Sequence, residues 1–251
     1  MEKRRGQKKR VKCGYFDGVL VGFPDDMFSV NDIFFSSFAS KVVAIGLKYA
    51  ESDGGAYKVR IPLCELMAQC GIETREGIYS KMKKIRDVVS DFTCKEGFLE
   101  INYASWLNRY FSSTGAMGTF IFLDELMRLT TVYAVRLYIH MKMMFMRMMK
   151  EGQDGKVEYR LELEGVRNIF FLENCDAYRD YKMFKRRVLY PAIDDVKNLT
   201  SLEVDFEETK SSTRVKGIVF YVLDRSVIYH RAQEKEEKNI IVPNFNKAKV
   251  L

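Results

Sequence analysis

The chain has 251 residues, 47% of them apolar, enough for one large domain or two of ordinary size with a real core. Its formal charge of +7 is unevenly placed, because residues 2–12 hold seven Lys/Arg and one Glu, leaving only +1 for the rest. No run of about 18 uncharged apolar residues and no signal-peptide pattern occurs, and the five cysteines form no C-x-x-C pair; a cytoplasmic protein is expected, neither membrane-inserted nor exported nor stapled by disulfides.

The basic tail is expected to be disordered. It is either a solubilising end or a polycation that adds DNA affinity without sequence preference. Residues 13–27 carry Gly14, Gly18, Gly22 and Pro24 and suit an arm or irregular strand, so residues 1–27 are set apart from the first domain, 28–124. Phe38, Val42, Ile45 and Tyr49 then recur at helical spacing up to the turn signal Ser52-Asp53-Gly54-Gly55. A short strand is expected over residues 57–61, followed by a helix opened by Pro62 and closed by Gly71. A further helix is predicted over 77–92, with Ile78, Met82, Ile85, Val89 and Phe92 inward and Tyr79, Ser80, Lys83, Lys84 and Asp87 outward. The hairpin closing this half is expected to pair residues 98–103 with 119–123. Trp106, Tyr110 and Phe111 in the connection are read as core aromatics.

Residues 131–150 are apolar nearly all round, with Arg136, His140 and Arg147 on one narrow polar strip. A helix of this kind must be covered on most faces, which places it between the two halves at the head of a second domain, 125–228. Sliding the chain by 100 residues sets Val59–Ile72 against Tyr159–Leu172, with Arg60 on Arg160, Ile61 on Leu161, Leu63 on Leu163, Leu66 on Val166 and Ile72 on Leu172. The order of elements continues alike on both sides.

The stretch from Tyr178 to Val204 carries the strongest signal. At 100° per residue, Tyr181, Phe184, Val188, Ala192, Val196 and Leu199 form one stripe, with Arg179, Lys182, Met183, Arg186 and Tyr190 opposite. Residues 178–187 hold five Lys/Arg against one Asp. Cations early in a helix oppose its dipole, which makes an incoming anion the favourable partner. Two alternating segments, 202–206 and 215–222, then read as a hairpin, and residues 229–251 as a polar tail. Helix, basic helix and hairpin in this order make a winged helix-turn-helix, so the fold class is α+β with two tandem winged helix-turn-helix domains offset by about 100 residues.

At these residues the chain resembles the replication initiators of iteron-containing plasmids. YKMFKRRVLYPAIDDVKNLTSLEVDFE is similar to the family's basic helix FKRRVL-x-PAI-x-EIN and the strand after it, and VYAVRLYIHM at 132–141 to the YAIRLYELL helix that opens the same domain. The resemblance covers about a hundred residues. It implies that monomers bind origin repeats, that dimers bind an operator and repress the protein's own gene, and that bound protein recruits the host initiator and the replicative helicase. The residues themselves assign Arg179, Lys182 and Arg186 to base edges or nearby phosphates of double-stranded DNA, and Lys185 and Arg187 to phosphates. Ser80, Lys83 and Lys84 are the corresponding residues of the first domain. Pro191 in mid-helix calls for a bend.

A winged-helix transcriptional regulator without an initiation role has the same charges and helices, and a partner-binding module built on the methionine-rich helix is a further alternative. A nicking enzyme needs a histidine cluster beside a tyrosine, and the two histidines, His140 and His230, stand far apart in the chain. A primase needs clustered carboxylates, and the adjacent Asp194 and Asp195 fall on different helix faces. No catalytic residues, cofactor or metal are expected.

Overall fold

The structure, a computed structural model, describes residues 20–24, 36–52, 58–107, 118–149 and 156–226. The expected basic tail, the side chain of Trp106, Tyr110, Phe111, Gly152–Gly155 and the polar end of the chain lie outside the described residues.

The architecture is α+β with antiparallel sheets. Strand β1 (Leu20–Pro24) pairs with β5 (Gly118–Phe122) in a two-stranded ribbon. Helix α1 (Ser37–Ser52) leads to β2 (Lys58–Pro62), α2 (Leu63–Cys70), α3 (Arg75–Met82), β3 (Val89–Lys95) and β4 (Phe98–Tyr103), whose strands order as β2-β4-β3. Next come α4 (Leu123–Arg128), α5 (Val132–Met148), β6 (Lys156–Glu162) and α6 (Leu163–Ile169). The chain closes with α7 (Tyr181–Phe184), a π turn (Lys185–Leu189), α8 (Tyr190–Leu199), β7 (Leu202–Ser211) and β8 (Arg214–Asp224), the strands ordering as β6-β8-β7.

Two expectations for the first half are corrected. The helix predicted over 77–92 stops at Met82, and Val89 and Phe92 belong to β3. Ile85, Val89 and Phe92 satisfy a helical period, but the two-residue turn Glu96-Gly97, with φ of 52° and 80°, lets β3 fold back on β4 in the register Lys95↔Phe98. The hairpin predicted between 98–103 and 119–123 is therefore absent. β4 pairs with β2 and β3, while β5 takes β1 as its partner. Pro62 is the last residue of β2 rather than the first of α2, and Leu63 N–H donates to Gly97 O at 2.9 Å.

The strand-to-helix passage occurs twice with one geometry. β2 hands over to α2 at Pro62-Leu63 and β6 to α6 at Glu162-Leu163. Both helices end in a Schellman turn: Ile72 N–H reaches Met67 O at 2.9 Å, and Leu172 N–H reaches Arg167 O at 3.1 Å. The residue before each, Gly71 at φ 61° and Phe171 at φ 53°, is left-handed. Beyond this point the spacing drifts, because α3 has 8 residues whereas helical structure runs without a break from Tyr181 to Leu199.

Helix α5 packs on α1 and β5 and on α6, α8, β6 and β8. Thr131 caps it, its Oγ1 accepting from Ala134 N–H at 3.1 Å. The expected polar strip is only partly wet: Arg136 stacks over the Phe171 ring, His140 is largely buried against Tyr159, and Arg147 is exposed. Among the described residues no helix is long and apolar enough to cross a membrane.

Candidate nucleic-acid interface

The segment from Tyr181 to Leu199 is held by its apolar stripe. Phe184, Val188, Ala192 and Val196 are buried, Tyr181 and Leu199 half-buried, and Leu189 and Ile193 widen the stripe beyond the expected row. Phe184 meets Phe170 edge-on at 5.6 Å, which sets the helix on α6. Asp180 caps the start, its side chain accepting from Lys182 N–H at 3.1 Å. The long helix thus begins at Tyr181, and Tyr178 and Arg179 close a separate 3-10 turn (Asp176–Tyr178) ahead of the cap, so Arg179 does not stand on the helix face.

A π turn stands just before Pro191, where a bend is expected from the sequence. Residues 185–189 form a π turn in which Tyr190 N–H bonds to Lys185 O, one residue beyond the α-helical partner. Pro191 has no N–H to give, so the wider turn just before it ends where the missing donor falls.

The outward side chains divide into two groups. Lys182, Arg186 and Arg187 are exposed, and among the described residues Lys182 and Arg187 have no charged partner, while Arg186 reaches only Met183 Sδ at 3.4 Å. Arg179 pairs with Asp176 at 2.8 Å, but both side chains are at least 80% exposed, so the pair is weak, and its carbonyl is held by Arg167 at 2.9 Å. Lys185 behaves differently. Its ammonium donates to Glu208 on β7 at 2.6 Å and lies over the rings of Tyr190 and Phe206. The bond to Glu208 raises the Lys185 pKa and, reciprocally, holds the Glu208 carboxyl below its ordinary range.

The hairpin adds cations that the sequence reading passed over. β7 and β8 meet in the register Ser211↔Arg214, so Lys210, Arg214 and Lys216 gather at the wing tip, all exposed. The signal was present in KSSTRVK, a basic run across a two-residue turn. In the first half, Ser80, Lys83 and Lys84 are exposed as expected, but Lys83 caps the end of α3 and Lys84 follows it in a turn, so the two lysines do not share a continued helix face. Among the described residues no three His, Cys, Asp or Glu side chains gather as a metal site requires.

The family described as "Initiator Rep protein, WH2" matches residues 162–222, from the last residue of β6 to within β8. This unit is similar to an initiator Rep winged-helix domain. Both the helix with Arg186 and the wing with Arg214 lie inside the matched residues. A crystal structure titled "Crystal structure of Pi initiator protein in complex with iteron DNA" superposes with a TM-score of 0.63 over 82% of this chain and 97% of that one, at 17% identity, which speaks for the fold. No curated protein matches the chain.

Proposed function

We propose that the protein is a sequence-specific double-stranded DNA-binding replication initiator built from two tandem winged-helix domains, residues 28–124 and 125–228. The observation that carries this is the exposed row Lys182, Arg186 and Arg187 on a helix packed by its other face, beside a wing tip with Lys210, Arg214 and Lys216, inside a domain matched by the initiator Rep family. Arg186 and Lys182 read base edges in a major groove, Arg179 a base edge or nearby phosphate, and Arg187 a phosphate, while Ser80, Lys83 and Lys84 serve a second contact from the first domain. The twice-used strand, helix and Schellman turn 100 residues apart supports the tandem reading. The rest of the proposal is that bound protein recruits the host initiator and replicative helicase, that monomers and dimers exchange, that the dimer represses its own gene, and that the protein has no enzymatic step of its own.

The test is selection of duplexes by the full chain from a random-sequence pool, followed by footprinting. A protected site of roughly 20 base pairs, about two helical turns, is expected, and direct repeats of it beside the coding gene. A single palindrome there, with no repeats, points to a transcriptional regulator instead. Failure to enrich any duplex overturns sequence-specific binding.

A further inference from the structure

Three residues at successive levels of the reading helix converge on the stem of the wing. Tyr181 in the first turn donates its hydroxyl to Glu208 Oε1 at 2.9 Å, and Lys185 donates to the same oxygen at 2.6 Å. Tyr190 completes the row, its ring 5.6 Å from that of Phe206, with the Lys185 ammonium 5.0 Å from the one ring centre and 5.6 Å from the other. In a regular helix residues five apart differ by about 140° and face different ways. The i→i+5 turn over 185–189 brings Tyr190 into the row of Lys185, so the π turn is what lets both meet β7.

Glu208 lies at a mechanical junction. It pairs across the hairpin with Ile218, and one residue further on the register shifts between Thr209 and Lys210, where the wing tip with Arg214 turns away. Lys210 also approaches its second oxygen at 3.5 Å. The Lys185 and Glu208 side chains are only 25% and 18% exposed, so the pair is partly shielded from water and salt.

We propose that Glu208 is a positioning residue for DNA reading: by bonding Tyr181 and Lys185 it locks the helix that carries Arg186 to the wing that carries Arg214, and it withholds Lys185 from the phosphate backbone. This rests on the DNA-binding reading above. A carboxylate beside a polyanion lowers affinity for any DNA, so its contribution lies in discrimination: helix and wing meet the duplex as one rigid body, and a mismatched site cannot be accommodated by shifting one against the other.

The experiment compares wild type, Glu208→Gln and Lys185→Met, each as the full chain and checked for folding by circular dichroism. The probes are a duplex enriched by wild type from a random pool and its scrambled version, over a range of salt. For Glu208→Gln, scrambled DNA is expected to bind more tightly, with the slope of log affinity against log salt steeper by about one unit as Lys185 is released, while discrimination falls roughly tenfold. Lys185→Met should also lose discrimination, with the salt slope unchanged, and Lys185→Arg should retain it. Two outcomes overturn the proposal: Lys185→Met flattening the slope by about one unit and weakening both duplexes alike, which makes Lys185 a phosphate contact, or Glu208→Gln leaving both slope and discrimination as in wild type. Should wild type enrich no duplex at all, the DNA-reading function itself falls, a result separate from either.

Discussion

Lys142 on α5 and Asp224 at the end of β8 form an ion pair whose side chains are 4% and 1% exposed. Around it, Glu125 of α4 accepts from Tyr138 Oη at 2.7 Å and from Ser201 N–H at 2.7 Å, and Ser226 Oγ donates to Asp224 at 2.6 Å. The cluster ties α4, α5, the start of β7 and the end of β8 together at the foot of the hairpin, and all of its residues are buried. Removing one charge strands the other, so Lys142→Met should cost about 3–5 kcal/mol, whereas Lys142→Met with Asp224→Asn should recover most of it. Urea unfolding midpoints of the single and double variants decide; equal losses for both would show that the site tolerates a lone buried carboxylate.

Arg186 and Arg187 separate base reading from phosphate binding. Arg186→Ala should cost on the order of 1–3 kcal/mol on the selected duplex, localised to one base position, with scrambled DNA nearly unaffected. Arg187→Ala should weaken both duplexes and lower the salt slope by about one unit. Titrations of each variant at two salt concentrations measure this, and a uniform loss for Arg186→Ala would remove it from the base-reading set.

His140 makes stability depend on pH. Burial, with Arg147 nearby, lowers its pKa to about 4, and among the described residues its Nε2 has no hydrogen-bond partner. As pH falls below about 6.5 the unfolded chain takes up a proton that the folded chain refuses until near pH 4, so stability is lost across this window as pH falls. The full difference is on the order of 3 kcal/mol. His140→Phe, which keeps a ring against Tyr159, should be flatter than wild type in unfolding free energy between pH 7 and pH 4.5; parallel curves would place the proton elsewhere.

Gly46 leaves room for a tyrosine. A Cβ there would stand 2.0 Å from Tyr103 Oη and 2.7 Å from its Cζ, and that hydroxyl donates to Val42 O at 2.9 Å. Gly46→Ala should therefore lower stability by about 1–3 kcal/mol despite the better helix propensity of alanine. Adding Tyr103→Phe removes the nearest clashing atom and should return part of the loss in a thermal melt. No effect of the first change would mean that α1 shifts freely over the sheet.

What the sequence determined by itself was local periodicity and the pattern tied to it. The stripe Tyr181, Phe184, Val188, Ala192 and Val196 sorts inward from outward because one helical turn repeats every 3.6 residues, whatever packs above it. Pro191 marked an irregularity in the helix, since the missing N–H is a property of the residue alone, and a π turn stands just before it. Strand partners were decided elsewhere. Ile85, Val89 and Phe92 fit a helix as well as a strand, and only the pairing of β3 with β4 chose between them; likewise the partner of β5 is β1, some hundred residues earlier in the chain. The same holds for charge. Helical position sets Arg186 apart from Lys185 and Arg187 but treats these two alike, and which of them is tied down depends on Glu208, 23 residues beyond Lys185, brought alongside by the hairpin. An ion pair needs its partner's position in space, and that position exists only once the sheet has formed.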